Sequence, residues 1–236
     1  MKYIFADVSE DKKTVEILLE YVPNGSIKNL LDKYGAFNEK IVRIYTKQII
    51  EGIDYLHTNN IIHRDLKCAN VLVDNDAKIK LTDFGSSKKL IEKDSFDNFE
   101  SSKSLKGSPY WMAPEVQITK VVQRIGHGTP ADIWSIGCVV IEMLTGKPPW
   151  ISPLIRLEEL FLKIARTTEG PPYPPDISAE CLDFLNNCFI IDPEKRPTCK
   201  DLLIHPFITG SEKNPLIDAK DLMGQISIIL KSKLIR

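Results

Sequence analysis

The chain has 236 residues, of which 43% are apolar and 27% are charged, so it can bury a sizeable core and is expected to be a folded soluble protein. Its 31 basic side chains nearly balance its 32 acidic ones, and the formal net charge is -1. This balance argues against nucleic acid or an anionic membrane as the main partner.

The hydropathy of the chain predicts no membrane span and no secretory signal. The most apolar window, 133–144, is shorter than the roughly 20 residues that a bilayer requires, and Glu142 interrupts it. Charged side chains at Lys2 and Asp7 interrupt the N-terminus before any continuous apolar stretch begins. We therefore expect a cytoplasmic protein.

Cysteine and histidine spacing predicts no zinc site. The four histidines lack the spacing of zinc ligands, and the five cysteines include no C-x-x-C pair. We expect the cysteines to be reduced residues of the core. Any metal ion is then expected to arrive together with a ligand.

The first part of the chain predicts two strands followed by a long helix. The strands are predicted at 2–7 and 14–21, joined by a charged turn. The apolar spacing then changes to a helical period, which predicts an amphipathic helix that begins after an Asn38 cap and ends near Asn59.

Two further short strands and a loop are predicted next. The strands, at 71–73 and 78–81, are separated by turn-forming residues and predict a hairpin. The stretch 86–108 is polar, rich in serine and lysine and without periodicity. A segment of this length without secondary structure is usually functional, so we expect a mobile loop.

A second long helix is predicted to begin at Thr129. A cap at Thr129, a proline at Pro130 and an acid at Asp132 match the pattern of a capped helix start. Because this helix is apolar nearly all round, we expect it at the centre of a helical region. Further helices are predicted at 156–166, 178–190, 198–205 and 216–233.

The strongest functional signal is a pair of motifs in the middle of the chain. The octapeptide HRDLKCAN occupies 63–70, and DFG follows at 83–85. A single Asp or Asn in a loop is most often a turn former, but this combination and spacing are improbable by chance. Through these motifs the sequence resembles the eukaryotic protein kinases, from residue 1 to about residue 209.

The resemblance implies the chemistry of phosphoryl transfer, with ATP and Mg²⁺ as cosubstrates and a protein Ser or Thr as acceptor. Asp65 would accept the proton of the substrate hydroxyl, and Lys67 would contact the γ-phosphate, as in Ser/Thr kinases. Asn70 and Asp83 would bind two Mg²⁺ ions, since hard cations prefer oxygen ligands.

The resemblance also places an ATP-binding hinge where the second predicted strand ends. Leu19 would be the gatekeeper, and Leu72 would lie beneath the adenine ring. Glu20 and Val22 would bond adenine through their backbone atoms. Without the two motifs, the same segment would read as an ordinary strand end.

The segment that begins at Phe84 and Gly85 resembles a kinase activation segment. Its end, KGSPYWMAPE at 106–115, is similar to that of MAP kinase kinase kinases. The stretch 126–138 and TGKPPW at 145–150 have the same similarity, which places the chain closest to this STE-like group.

Serines of this segment are candidate phosphorylation sites. Ser104 is the first candidate, followed by Ser102 and Ser101, because a phosphate there could pair with Arg64 and order the loop. The alternative is that they are ordinary serines of a flexible loop. Ser108 matches a hydroxyl that contacts the catalytic loop in these kinases, and we expect it to be structural.

Five residues are given structural roles by the resemblance: His63, Arg64, Glu115, Asp132 and Arg196. Glu115 and Arg196 would form a buried ion pair. Asp132 would brace the catalytic loop through its backbone, a role that is compatible with capping the helix.

The implied fold is α+β and kinase-like, with a truncated small β lobe and a complete, mainly helical large lobe. Residues 1–209 would form the partial kinase domain, divided into a remnant of the small lobe with the hinge at 1–25 and the large lobe at 26–209. Residues 210–236 would form a C-terminal tail with a helical pattern.

The sequence departs from the family before residue 25. It shows no Gly-rich phosphate loop, no apolar strand around Lys12 or Lys13, and no helix to supply the glutamate partner of a strand lysine. Because these parts hold the α- and β-phosphates, we expect these 236 residues alone to bind nucleotide weakly and turn over slowly. The two strands would also expose an unpaired edge.

Three functions therefore stay open. The first is an active Ser/Thr kinase of a MAP kinase cascade, acting on a MAP kinase kinase, of which this sequence is an incomplete copy. The second is a truncated product that binds or competes without catalysis, and the third is metal-independent or non-ATP chemistry by the same residues. The intact set of Asp65, Lys67, Asn70 and Asp83 favours the first.

Overall fold

The computed structural model describes residues 3–8, 14–90, 109–117, 128–151 and 156–210. Within these residues, short strands occupy the N-terminal part and the middle of the chain, while helices form most of the remainder. The architecture agrees with the predicted α+β class.

The first two strands form a small sheet of their own. Strand β1 (Tyr3–Val8) pairs antiparallel with β2 (Val15–Leu19), and every residue of both strands is exposed. The strand predictions are confirmed with slightly different ends. Val22 is the first buried apolar residue in the described part of the chain, so this sheet contributes nothing to the core.

Two capped helices follow. Helix α1 (Ile27–Tyr34) begins with a capping box, in which the Ser26 and Asn29 side chains each accept the other residue's backbone N–H. Helix α2 (Glu39–Thr58) begins at Asn38, whose Oδ1 atom accepts a helical N–H at 3.0 Å. The predicted start and end of this long helix are confirmed.

Four short strands surround the two central motifs. Strands β4 (Val71–Val73) and β5 (Ile79–Leu81) form the predicted hairpin. Strand β3 (Ile61–Ile62) pairs with β6 (Lys88–Lys89), which lies in the stretch predicted as loop. The two lysines of β6 form no sequence pattern typical of a strand, so their strand conformation depends on pairing with the distant strand β3. Residues 91–108 of the predicted loop lie outside the described residues.

Helix α3 (Pro130–Thr145) is buried without interruption from Ala131 to Met143 and packs against α2. The prediction of a central buried helix is confirmed. The predicted start at Pro130 is confirmed, but the predicted cap at Thr129 is wrong, because Thr129 has a helical backbone and its side chain makes no capping hydrogen bond. The Asp132 carboxylate bonds instead to another segment, as described below.

The remaining helices complete the helical region. They are α4 (Leu157–Ala165), α5 (Ala179–Cys188), α6 (Cys199–Leu203) and α7 (Pro206–Thr209). The helix predicted at 198–205 is confirmed as α6 but ends at Leu203, and the separate helix α7 was not predicted. His205 has an extended backbone, because a proline disfavours helical backbone in the residue before it. His205 instead caps α7, since its Nδ1 atom accepts the Phe207 N–H at 3.1 Å. The predicted helix at 216–233 lies outside the described residues.

The five cysteines are free thiols in the interior, as predicted: Cys68, Cys138, Cys181, Cys188 and Cys199. Burial raises the pKa of each thiol, so the reactive thiolate is disfavoured. Among the described helices, none has the length and apolar character needed to cross a membrane.

The contact between α3 and α5 predicts the effect of one added methyl group. A Cβ atom at Gly137 would lie 2.8 Å from Cys188 Cβ and 2.8 Å from the Phe189 ring. We expect Gly137→Ala to lower the free energy of unfolding by about 1–3 kcal/mol, because the core has no room for it. Denaturant titration followed by circular dichroism measures the change.

Gly52→Ala in α2 is the matched control. Its Cβ would meet only the Leu81 side chain, whose nearest methyl carbon lies at 3.0 Å, and alanine gains about 1 kcal/mol over glycine in a helix. We expect this variant to be the more stable of the two, and equal stability would contradict the tight packing at Gly137.

Candidate active site

The octapeptide lies in a loop between β3 and β4, where two of the predicted catalytic side chains, Lys67 and Asn70, bond to the carboxylate of the third, Asp65. Lys67 Nζ lies 2.9 Å from Asp65 Oδ2. Asn70 Nδ2 donates to the same oxygen at 3.0 Å and to the Asp65 backbone oxygen at 2.7 Å. These bonds fix the Asp65 side chain and leave its Oδ1 atom as the candidate acceptor of a substrate proton.

The catalytic loop, residues 63–70, is held in place by the side chain of Asp132 in α3. Its Oδ1 accepts the Arg64 N–H and its Oδ2 accepts the His63 N–H, both at 2.9 Å. Oδ2 also lies 2.9 Å from His57 Nε2. Arg64 has a φ of 70°, in the left-handed region. The Asp132 carboxylate therefore stabilises a backbone conformation that a non-glycine residue rarely adopts.

The second motif adjoins the catalytic loop. Thr82 N–H donates to the Asn70 backbone oxygen at 3.0 Å, and His63 Nε2 lies 3.1 Å from the Thr82 oxygen. The Phe84 ring contacts the His63 ring, with 5.4 Å between centroids. Asp83, between Thr82 and Phe84, is exposed and has a left-handed φ of 61°. The structure thus brings Asp83 to the edge of the loop that carries Asn70.

The rest of the predicted activation segment is only partly described. Gly85 lies in a 3-10 turn, Phe84–Ser86, and the Ser87 hydroxyl donates to the His63 backbone oxygen at 3.2 Å. The candidate serines of this segment lie outside the described residues: Ser101, Ser102, Ser104 and Ser108.

The predicted hinge lies close to the β4–β5 hairpin. Lys80 Nζ lies 2.9 Å from Glu20 Oε2, and Lys80 is the cross-strand partner of Leu72. Because the side chains of cross-strand partners project to the same face of a hairpin, Glu20 lies at the hairpin face that carries Leu72. Val22 is buried, whereas Leu19 is 39% exposed and does not pack into the core.

The segment after the hinge continues along β4. The Val73 N–H donates to the Gly25 oxygen at 2.9 Å, and Ser26 forms a β-bridge with Leu72. Asn24 Nδ2 donates to the Asp74 oxygen at 2.9 Å. These bonds attach the hinge to the same hairpin whose first strand follows Asn70 directly in the chain.

The donor atoms of the site fit a hard cation that arrives with phosphate. Because Asn70 donates its Nδ2 hydrogens to Asp65, its Oδ1 atom is the one available to a metal, and the Asp83 carboxylate is the second candidate ligand. The described ranges contain no cluster of three or more His, Cys, Asp or Glu side chains that could hold a metal ion without further ligands. Phosphate oxygens would therefore complete the coordination.

Glu115 and Arg196 form the ion pair that the resemblance implies. The guanidinium binds both carboxylate oxygens, at 2.8 and 3.1 Å. It also donates to the backbone oxygens of Ile190 and Pro130, at 2.8 and 2.7 Å, and lies over the Trp134 ring. The Arg196 side chain is fully buried, whereas that of Glu115 is 26% exposed.

The sequence analysis missed two polar residues that support the loop: Glu142 bonds to it directly, and His57 bonds to Asp132, which holds it. Glu142 is 1% exposed, and its Oε2 atom accepts the Cys68 N–H at 3.1 Å and the Trp111 indole N–H at 2.8 Å. A signal was present, because an acid in a helix that is otherwise buried all round requires hydrogen-bond partners. The positions of those partners could not be read from the sequence.

Comparison with known proteins identifies the family of the chain. The sequence profile of the protein kinase domain matches residues 3–208, which include the catalytic loop, the hinge and Arg196. The chain belongs to the protein kinase family. Kinases of this family use ATP and divalent metal ions, and the donor atoms described above suit both.

Curated relatives of this kinase are MAP kinase kinase kinases. The chain is 50% identical over 206 residues to mitogen-activated protein kinase kinase kinase 2 of Arabidopsis thaliana, covering 87% of this chain and 30% of the relative. It is 46% identical over 211 residues to mitogen-activated protein kinase kinase kinase A of Dictyostelium discoideum, covering 89% of this chain and 21% of the relative. It is 43% identical over 196 residues to mitogen-activated protein kinase kinase kinase 3 of Homo sapiens, covering 83% of this chain and 30% of the relative.

These matches confirm the predicted similarity to MAP kinase kinase kinases. The chain spans less than a third of the length of each of these relatives. The similarity therefore concerns their kinase domains, and the activity and partners of whole relatives are transferred to this chain only as proposals.

The ion pair of this kinase gives a stability prediction. We expect Arg196→Ala to lower the free energy of unfolding by about 3–5 kcal/mol, because Glu115 and three backbone oxygens lose their buried donor. Thermal unfolding followed by circular dichroism measures the loss.

Lys195→Ala is the matched control. The Lys195 side chain is 77% exposed and pairs with Asp192 at 3.4 Å, a kind of contact worth at most about 1 kcal/mol. If the Arg196 and Lys195 variants unfold at the same temperature, the Glu115–Arg196 pair does not stabilise the fold.

Proposed function

We propose that this protein is an ATP-dependent protein serine/threonine kinase that acts in a MAP kinase cascade, with a MAP kinase kinase as its substrate. The observation that carries the proposal is the assembly of Lys67 and Asn70 on a single oxygen of Asp65, with Asp83 at the edge of the same loop. The names of the relatives support the cascade.

Asp65 acts as the base in this proposal. Its carboxylate is oriented by Lys67 and Asn70 and receives the proton of a Ser or Thr hydroxyl as that oxygen attacks the γ-phosphorus. The bond from phosphorus to the β,γ-bridging oxygen breaks, and ADP leaves. Lys67 balances the charge on the transferred phosphoryl group, which is the main requirement of this reaction.

Asn70 and Asp83 supply oxygen ligands for Mg²⁺, which neutralises phosphate charge when bound. The bond between Thr82 and the Asn70 backbone oxygen keeps the two ligands together. On the other side of the site, the backbone of Glu20 and Val22 holds adenine, with Leu72 beneath the ring. The bonds of the hinge to β4 support this placement.

A non-catalytic binding module is the second candidate. One observation favours it: β1 and β2 expose their apolar side chains along the whole of both strands. Exposed apolar surface of this kind fits contact with another protein. The two candidates differ in whether the purified protein transfers phosphate.

The test is phosphotransfer from radiolabelled ATP to a generic protein substrate with and without Mg²⁺. We expect transfer that requires Mg²⁺ and that falls at least about 100-fold in Asp65→Asn, because asparagine cannot accept the proton. Asp76→Asn, in the exposed turn of the β4–β5 hairpin, is the control and should keep full activity. Transfer that survives in Asp65→Asn would contradict the assigned base.

If the wild-type chain transfers no phosphate, titration with a fluorescent ATP analogue separates the two candidates. Nucleotide binding that requires Asp83 would keep the site assignment and support the binding module. A chain that neither binds nucleotide nor transfers phosphate would contradict the proposed kinase function.

Phosphorylation of Ser104 is proposed to activate this kinase. Burial lowers the pKa of the Arg64 guanidinium, although the Asp132 charge opposes this, so a nearby phosphate would compensate for lost hydration. We expect Ser104→Ala to lower the transfer rate roughly tenfold, whereas Ser95→Ala, in the same segment, has no effect. Equal rates in the two variants would remove Ser104 as the activating site.

A further inference from the structure

The outer edge of strand β5 is occupied by a side chain of helix α2. Within the part of the chain that the structure describes, β5 pairs with β4 alone. At its other edge, Gln48 Oε1 accepts the Ile79 N–H at 3.0 Å, and Gln48 Nε2 donates to the Ala77 oxygen at 3.2 Å. The Gln48 carboxamide thus gives β5 a second partner, at an edge whose backbone groups would otherwise face water.

The two bonds resemble the pairing that a neighbouring strand would make. In a parallel ladder, one residue donates to a backbone oxygen of the adjacent strand and accepts an N–H two positions further along that strand. Gln48 does the same with one side chain, since Ala77 and Ile79 are two positions apart. Glutamine suits this role because its carboxamide carries a donor and an acceptor, whereas an ionised glutamate carries no donor.

Helix α2 contacts β5 at a second point, one turn further along. Gly52 follows Gln48 by four residues, so the two lie on the same face of the helix. A Cβ atom at Gly52 would lie 3.0 Å from a Leu81 methyl carbon, so the helix backbone closely approaches the last residue of β5. Because Gln48 bonds to Ile79 at the start of the strand, β5 is held to α2 at both of its ends.

Strand β5 leads directly to a proposed metal ligand. Thr82 and Asp83 follow Leu81 in the chain, and the Thr82 N–H donates to the Asn70 backbone oxygen at 3.0 Å. Asp83 is exposed and has a left-handed φ of 61°, a conformation that persists only when the surrounding structure holds it. The bonds that fix β5 therefore also fix where the Asp83 carboxylate lies relative to Asn70.

We propose that Gln48 is a positioning residue for the Asp83 carboxylate and acts through the outer edge of β5. Its carboxamide holds the start of the strand on α2, and the strand carries that position to Thr82 and Asp83. Loss of the carboxamide frees the edge and displaces Asp83 from its place beside the Thr82–Asn70 bond. The consequence for metal binding rests on the proposed kinase function, whereas the support of β5 does not.

Two substitutions separate the hydrogen bonds from the packing. Gln48→Met keeps the length of the side chain and removes both bonds. Gln48→Glu keeps the acceptor for the Ile79 N–H but places a second acceptor against the Ala77 oxygen. Glu51→Met is the matched control, because Glu51 is exposed on the same helix.

The first experiment measures amide hydrogen exchange by NMR on the full chain. We expect Gln48→Met to accelerate exchange at Ile79 and Thr82 at least about tenfold and to leave the amides of α5 unchanged, because only local bonds are lost. Gln48→Glu should keep part of the protection at Ile79, and Glu51→Met should keep all of it. An unaffected Ile79 amide, a change that does not reach Thr82, or equal acceleration throughout α5 overturns the proposal.

The second experiment measures the Mg²⁺ dependence of phosphotransfer. We expect Gln48→Met to raise the Mg²⁺ concentration at half-maximal rate about tenfold with KM for the protein substrate unchanged, since residues that orient a metal ligand tune metal affinity. Gln48→Glu should lie between Gln48→Met and the wild type, and Glu51→Met should match the wild type. An unchanged Mg²⁺ requirement in Gln48→Met refutes the positioning role. A wild-type chain without phosphotransfer fails the kinase proposal alone, and hydrogen exchange then decides the role of Gln48.

Discussion

The buried carboxylate of Asp132 is the constraint on which the rest of the site depends. It accepts the backbone N–H groups of His63 and Arg64 and contacts His57, all at 2.9 Å. A charge in the interior is tolerated only when several donors satisfy it. Here those donors are the backbone of a loop with a left-handed residue, so the charge and the strained loop stabilise each other.

Helix α3 extends this arrangement along one of its faces. Asp132, Ser135 and Glu142 fall within about 80° of one another at 100° per residue, so they lie along one side of the helix. Asp132 and Glu142 bond to the catalytic loop, and Ser135 and Glu142 bond to Trp111. A helix that is buried all round thereby orders two loops that lie far apart in the sequence.

The sequence predicted what depends on local pattern. Asn38 predicted the start of α2, because a cap acts on the next few residues. The resemblance carried by the two motifs predicted Asp65, Asn70 and Asp83 as one set of site residues. Contacts between distant segments were not predictable. Nothing near Lys88 and Lys89 indicates that they pair with β3, and nothing near Glu142 indicates that its donors are Cys68 and Trp111.

The two sides of the proposed nucleotide site rest on different supports. The loop that carries Asp65, Lys67 and Asn70 is bonded to the buried helix α3 through its His63, Arg64 and Cys68 N–H groups, and it leads directly into β4. The hinge is the end of a sheet whose strands are exposed on both faces, and it reaches the hairpin through the Glu20–Lys80 pair and the bridge at Ser26. Regions with few buried apolar contacts open at the lowest free energy. The adenine side of the site should therefore loosen before the side that holds Asp65, because its order depends mainly on polar contacts and on the one buried apolar side chain of the hinge, Val22.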